Sequence, residues 1–254
     1  MLTKIIITLE NKEKYGFEIS SLLHGVLMEL IPESFAEKLH ENGVRPYAQY
    51  IKKTEDSLIW TISTYSAEAE KYIAGFLMSD EFYSVYLKHK QAELPVIKKE
   101  MIQTSYTELM NSTYFGNCSR TVRIDFVTPT SFKVNGDYQF YPTVEHIFKS
   151  LINKHDAMEE NTEIYSDGLI EEIMEKVSIK GYRLKSVRFH LEGVSIPAFM
   201  GSITIRIRGM QTFVNLLNMM LKLGEYTGVG IKAGIGMGAI VVEQKERKGK
   251  TSEQ

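Results

Sequence analysis

The densest run of chemically suggestive residues lies near the C-terminus, where Gly224–Gly238 (GEYTGVGIKAGIGMG) sets six glycines in fifteen residues around one cation, Lys232. Residues without side chains leave backbone N–H groups uncovered, and an ammonium in their midst adds charge, so the segment suits a polyanion. A dinucleotide fingerprint requires strand, glycine turn and then helix; here a helical pattern comes first and a strand follows, and the P-loop pattern is absent. Gly228, Gly230, Gly234, Gly236, Gly238 and Lys232 are therefore anion-binding candidates, with a helix cap followed by a glycine-rich hairpin as the plainer alternative. Arg206 and Arg208 on the preceding strand would share one face of a sheet. They join the same candidate surface, with Arg183, Lys185 and Arg188 as a weaker patch. The alternative is an ordinary polar sheet face.

Histidine is the other residue type with chemical reach. His89, His146, His155 and His190 show no metal-ligand spacing, and neither HExxH nor a paired-carboxylate pattern occurs, so no metal or other cofactor is expected. His24 falls in the first helical segment and His40 at the end of the second. An imidazole has an ordinary pKa of ~6.5, which keeps both protonation states accessible near neutrality, as general acid–base work requires. Read plainly, His24 beside Leu22 and Leu23 is a packed or capping residue, and His40 is a terminal cation favoured by the helix dipole.

The elements that must position these residues follow from periodicity. Lys4–Leu9 reads as a strand, Ser20–Ile31 as a helix, and Glu33–Glu41 as a second helical piece beyond Pro32. Tyr47–Lys53 and Leu58–Tyr65 alternate as a hairpin, Ala67–Met78 is helical, and Val96–Tyr106 closes the unit as a strand. The second half repeats the order: strand Arg120–Thr128, helix Pro142–Asn153, strands Tyr182–Leu191 and Ser202–Arg208, helix Gln211–Gly224 and strand Met237–Glu243. An extra helical stretch, Leu169–Val177, is inserted. Two βαββαβ units in tandem predict an α+β protein of two ferredoxin-like (RRM-like) sandwiches. The expected divisions are 1–112, 118–244 and a polar tail over 245–254, with a linker near Met110–Asn117. The Met-rich helix Gln211–Gly224 offers either a core face or part of a homodimer surface.

Composition sets the outer limits. The chain has 254 residues, 43% hydrophobic and 24% charged, enough for real cores. No uncharged run approaches the ~20 residues needed to cross a bilayer, and no signal-peptide pattern opens the chain, so no membrane partner and a cytoplasmic location are expected. The single cysteine, Cys118, agrees with a reducing compartment. Net charge is −2, but residues from Ile179 onward carry 12 Lys/Arg against 5 Asp/Glu. That asymmetry places an anion mainly on the C-terminal part. Lys245, Arg247, Lys248 and Lys250 either contribute to it or are simply solvated in the tail.

The segment GEYTGVGIKAGIGMGAIVVE resembles the C-terminal glycine-rich loop of the CRISPR-associated endoribonucleases that cut precursor CRISPR RNA within each repeat, the sixth CRISPR-associated protein family of the RAMP superfamily. Phe126–Phe132 (FVTPTSF) with Tyr141–Pro142, Ile196–Gly209 (IPAFMGSITIRIRG), His24–Ile31 (HGVLMELI), and Leu39–Glu41 with Pro46–Tyr47 match the family in the same order, so the resemblance spans nearly the whole chain. It implies a tandem ferredoxin-like endoribonuclease that binds CRISPR repeat RNA and cleaves it without metal. Proteins of a CRISPR effector complex are further partners it brings into view. Many archaeal members carry a tyrosine on the first helix; the nearest position here is Met28, which leaves His24 to take that place.

For such a substrate the chemistry is simple. RNA carries its own nucleophile, the 2′-OH, so the protein must accept one proton, supply another to the leaving 5′-oxygen, and place positive charge near the phosphorane. His24 and His40, brought together by the bend at Pro32, fit the proton work. Arg45 fits the fixed cation, and Tyr47 could position the ribose or stack; otherwise both belong to a surface turn. A non-catalytic RNA-binding subunit of the same fold, or a binder of a small phosphorylated ligand, are the competing classes.

Overall fold

A computed structural model describes residues 1–40, 43, 45–158, 163–191 and 193–244, with His40 described through its backbone alone. The N-terminal unit runs β1 (Leu2–Glu10), α1 (Ser20–Leu30), α2 (Glu33–His40), β2 (Tyr47–Lys53), β3 (Ser57–Thr64), a helical run comprising α3 (Ala67–Ala69), a π turn (Glu70–Ala74) and α4 (Gly75–Met78), then β4 (Ser84–Leu87) and β5 (Ala92–Thr104). After α5 (Tyr106–Ser112) the second unit follows: β6 (Thr121–Thr130), the small hairpin β7 (Phe132–Val134) and β8 (Asp137–Gln139), α6 (Val144–Asp156), α7 (Leu169–Lys176), β9 (Val177–Leu191), β10 (Val194–Ile207), α8 (Gln211–Thr227) and β11 (Ile240–Gln244).

The sheet orders are β2-β3-β1-β5-β4 and β11-β6-β10-β9, so in each unit the first strand lies between the third and the last core strand. That is the ferredoxin-like arrangement twice over, as periodicity indicated. Local sequence explains the breaks. Pro32 forces Ile31 into an extended conformation (φ −94°, ψ 157°), which ends α1 and starts α2 at a new angle. Leu23 and Leu27, one turn apart, bury the inner face of α1, and Met28 packs at the edge of that core.

Several features depart from the periodicity, among them β9 and β10, which start at Val177 and Val194 and not at Tyr182 and Ser202. β4 is a four-residue edge strand, too short to show a pattern, and adds a hairpin with β5. The β7–β8 hairpin is shorter still. Met110–Ser112, expected within the linker, instead complete α5, which begins with a capping box between Ser105 and Glu108. The connector beyond α5 is pinned to α8: Asn215 Nδ2 donates to the carbonyls of Tyr114 (2.9 Å) and Gly116 (2.7 Å), and Asn218 Nδ2 to that of Ser119 (3.1 Å).

α8 also joins the units. It covers the inner face of the C-terminal sheet and reaches the outer face of the N-terminal one, where Lys4 Nζ sits 4.5 Å from the centre of the Tyr226 ring. Leu2 and Tyr65 of the first unit share a core with Leu217, Met220 and Leu221 of α8, and Met219 is buried there too. Among the described residues no helix is long and apolar enough to cross a membrane.

Candidate active site and RNA interface

The site grows from the seam between the units. His24 projects half-buried from α1. Tyr47 opens β2, with Arg45 just before it, and the hairpin register sets Tyr47 opposite Thr64. Tyr65, the next residue along, donates its hydroxyl to the Arg45 carbonyl and more weakly to that of Tyr47 (3.4 Å), which clamps the approach to β2. Three of the predicted site residues therefore converge. Tyr47 Oη lies 2.9 Å from His24 Nδ1, and Arg45 Nη1 lies 3.4 Å from His24 Nε2.

These contacts constrain the imidazole. Arg45 can only donate, whereas a tyrosine hydroxyl can donate or accept. A neutral ring satisfies both neighbours when Nδ1–H donates to Tyr47 Oη and Nε2 carries the lone pair toward Arg45; the tautomer is assigned here from partners. Burial pushes the Tyr47 phenol up to about 12, against the opposing pull of Arg45, so it stays protonated at neutral pH. Tyr65 is raised further for the same reason, burial.

The glycine-rich segment forms the facing wall. Its 3-10 turn, Ala233–Ile235, presses on β2 and α1: a Cβ on Gly234 would sit 3.2 Å from Arg45 Cδ and 3.3 Å from the Tyr47 hydroxyl. Gln49 fixes that approach, donating to the Gly234 carbonyl (3.0 Å) while accepting from Trp60 Nε1 (2.6 Å). A cleft of about 340 Å³ remains, lined by Arg45, Tyr47 and Tyr65 on one side and by Lys154 and Gly230–Ile235 on the other.

The loop differs from a sheet of open amides. Gly228, Gly234, Gly236 and Gly238 are buried and Gly230 half-buried; the amides of Val229, Gly230, Ile231, Gly236 and Gly238 all donate within the protein. The glycines are needed because backbone meets backbone: a Cβ on Gly238 would overlap the Val229 carbonyl, and both Gly230 and Gly238 have positive φ. What the loop exposes is Lys232, itself left-handed (φ 57°), at its apex.

Other predicted residues lie elsewhere. Ile196 and Ala198, near the tip of the β9–β10 hairpin, pack on Ile235 and Met237 of the loop. Arg206 is eight positions further along β10, roughly 26 Å at strand rise, so it is on the exposed sheet face but not beside the loop. Arg208 lies past the end of β10, and its guanidinium donates to the Glu175 carbonyl at the end of α7 (2.6 Å), so it does not share Arg206's face. Arg183 and Lys185 stay on the exposed face of β9, and Arg188 contacts Ser195 Oγ at 3.4 Å. His40 closes α2, but its side chain, like the tail at 245–254, is outside the described residues.

Gln49, Tyr65 and Lys154 are the contributors that residue spacing passed over. Lys154 is fully buried, donates to the carbonyls of Thr227 (2.9 Å) and Gly228 (3.0 Å) where α8 gives way to the loop, and is pushed down to about 7 by burial. Two of these were readable: Gln49 alternates with Tyr47 and Ile51 on a core face, and Lys154 continues the Ile147, Leu151 stripe of α6. Among the described residues no three His, Cys, Asp or Glu side chains cluster as metal ligands.

The family model described as CRISPR-associated endoribonuclease Cas6 matches residues 124–240. The Cas6 endoribonuclease of Mycobacterium tuberculosis is 36% identical over 222 residues, 87% of this chain and 70% of that one. The chain belongs to the Cas6 family. The Streptococcus thermophilus member is 26% identical over 96% of this chain and all of its own. Among solved structures, a Cas6 product complex superposes with a TM-score of 0.79 at 20% identity, covering 96% of this chain and 100% of that one, and Thermus thermophilus Cas6 gives 0.73 at 21%, covering 96% and 98%. These matches confirm the tandem ferredoxin-like fold that the resemblance implied.

Proposed function

We propose that the protein cleaves precursor CRISPR RNA within its repeats without a metal ion, at the cleft beside His24. The observation that carries this is the trio itself: an imidazole oriented by one phenol and facing one guanidinium, the phenol and guanidinium both lining a cleft whose other wall bears Lys232. The 2′-oxygen of the ribose bonds to the adjacent phosphorus as the bond to the 5′-oxygen breaks. With substrate bound, Arg45 turns from His24 Nε2 to the phosphate and offsets the charge that builds on the phosphorane, and the freed Nε2 lone pair takes the 2′ proton. Tyr47 holds the ring in the tautomer this requires. His40, at the end of α2, is the second proton carrier and serves the leaving 5′-oxygen. The products are a 2′,3′-cyclic phosphate and a 5′-OH.

Repeat RNA is the partner; Lys232 supplies one phosphate contact at the loop, and Arg206 and the β9 cations form a more distant track for the backbone. The chelator test is direct: in EDTA the purified protein should cut repeat RNA once. Replacing the 2′-OH upstream of the cut by hydrogen should abolish cleavage and spare binding. Inhibition by EDTA, or cleavage of the deoxy substrate, would refute the mechanism.

A further inference from the structure

We propose that a second groove, along the outer side of α1, holds a base of the single-stranded RNA flanking the cut bond; this rests on the reading that cleavage occurs at His24. The groove has a volume of about 420 Å³ and runs between Gly25, Val26 and Glu29 of α1 and Tyr86, Lys88 and His89 at the end of the β4–β5 hairpin.

Gly25 is the first reason. Glycine in a helix interior is about 1 kcal/mol worse than alanine, so its presence in the middle of α1 calls for a cause. Its φ is not positive, and an added Cβ would meet nothing within 4 Å among the described residues. Neither backbone conformation nor packing among the described residues accounts for it. An outside group lying flat on the helix would, because a side chain there would hold that group away.

The opposite wall suits a nucleotide. Tyr86 is 54% exposed while its strand neighbours Val85 and Leu87 are buried, so β4 is anchored and the ring is presented outward. His89 is exposed in the turn Lys88–Lys90, which sets three basic side chains in a row. Lys88 Nζ reaches Glu29 across the groove (2.7 Å) and occupies the carboxylate that would otherwise repel a phosphate. Stacking on an aromatic ring is worth about 1–3 kcal/mol per base without regard to sequence, and neighbouring cations hold the backbone. Position supplies the occupant: Gly25 lies about 100° round α1 from His24, an arc of roughly 10 Å on a helix about 10–12 Å across, which a strand leaving the phosphate at His24 can cross to reach this groove.

The test is affinity for uncleavable repeat RNA, deoxy at the cut, read beside thermal melts of the full chain. Gly25→Met and Tyr86→Ala should weaken binding about 5- to 150-fold, the range a lost stack implies. Gly25→Ala should raise the melting temperature while still lowering affinity, opposite signs that a merely structural role would not give. An abasic substitution at one flanking position should bring wild type down to the level of Tyr86→Ala and leave that variant unchanged. Wild-type affinity in both Gly25→Met and Tyr86→Ala overturns the proposal, including the case in which the groove serves a protein partner. Weak binding by those variants alongside normal cleavage by His24→Ala would support the groove and remove the catalytic reading instead.

Discussion

The two units share one topology and use it differently, most visibly in their first helices. α1 presents a half-exposed His24, with the cleft residues Tyr47 and Arg45 on its ring nitrogens. α6, in the same place of the second unit, turns Lys154 and His155 inward. Lys154 binds two carbonyls at the root of the glycine loop, and His155 lies between the Tyr106 hydroxyl and the Asp156 carboxylate (2.8 Å). His146 tilts against Phe132. One unit leaves its imidazole half-exposed, while the other commits Lys154 to the root of a loop that fits against the first. Neither half of the site is complete alone, since Gly234 meets Arg45 and Tyr47 across the seam.

The sharpest way to break this division is to delete one polar group from each helix. His24→Ala should lower single-turnover cleavage about 10²- to 10⁴-fold, the usual reach of positioned proton transfer, with binding of deoxy repeat RNA retained. Lys154→Met should act mainly through the loop, weakening RNA binding and sparing most of the rate at saturation. Equal losses of saturated rate in the two variants would end the distinction.

Lys154 also gives the comparison a pH signature. Between about pH 7 and its ordinary value of 10.5 the unfolded chain keeps the lysine proton and the folded chain has released it. Stability from this group therefore rises with pH across that window, and below about 7 the full cost of the buried ammonium is present. Each pKa unit is worth about 1.4 kcal/mol, so the rise is of the order of a few kcal/mol. Denaturant midpoints at pH 7 and 10 should climb more in the wild type than in Lys154→Met. His24→Ala leaves Lys154 in place and should keep the wild-type rise between these pH values.

Much of this architecture was legible because hydrophobic spacing reports burial. The Leu23–Leu27 pair, the Pro32 break and the alternation in β2 and β3 give their elements directly, and the glycine cluster marks the loop. The loop's character was not legible. Glycines that expose amides to a ligand and glycines that let two chain segments touch look alike in sequence, and only the approach of Gly238 to Val229 tells them apart. Arg208 shows the same limit: regular alternation aligns it with Arg206, but β10 ends at Ile207 and the guanidinium turns to the end of α7. His24, Arg45 and Tyr47 were readable as candidates. Their convergence depended on Tyr65, whose part rests on a hydroxyl reaching back to the Arg45 and Tyr47 carbonyls, a contact without a sequence pattern.

Glycine substitutions can therefore separate architecture from chemistry within one loop. Gly238→Ala combines a positive φ of 74° with overlap onto a backbone carbonyl, which should cost about 2–4 kcal/mol. At roughly 2–4 °C per kcal/mol for a chain of this size, its melting temperature should fall clearly. Gly234→Ala meets side chains of Arg45 and Tyr47 at 3.2–3.3 Å, without the left-handed backbone. It should melt within a few degrees of wild type, since side chains can shift a few tenths of an ångström, and should lose activity because those side chains orient His24. A large melting loss in Gly234→Ala with normal cleavage would mean that the turn merely packs against the first unit.

The smallest expected effect tests what the loop contributes once it is built. Lys232 is the exposed cation at its apex, and its left-handed backbone caps the turn that follows. Removing the charge as Lys232→Ala should lower affinity for repeat RNA modestly and reduce the slope of log K against log salt by about one contact. The substitution also strains a positive φ, so Lys232→Asn, which tolerates that conformation, is the cleaner variant. The two should show the same salt slope and differ in melting temperature. An unchanged slope in Lys232→Asn would mean that the loop serves RNA through shape alone, and would shift the search for phosphate contacts to Arg183, Lys185 and Arg206 on the open sheet.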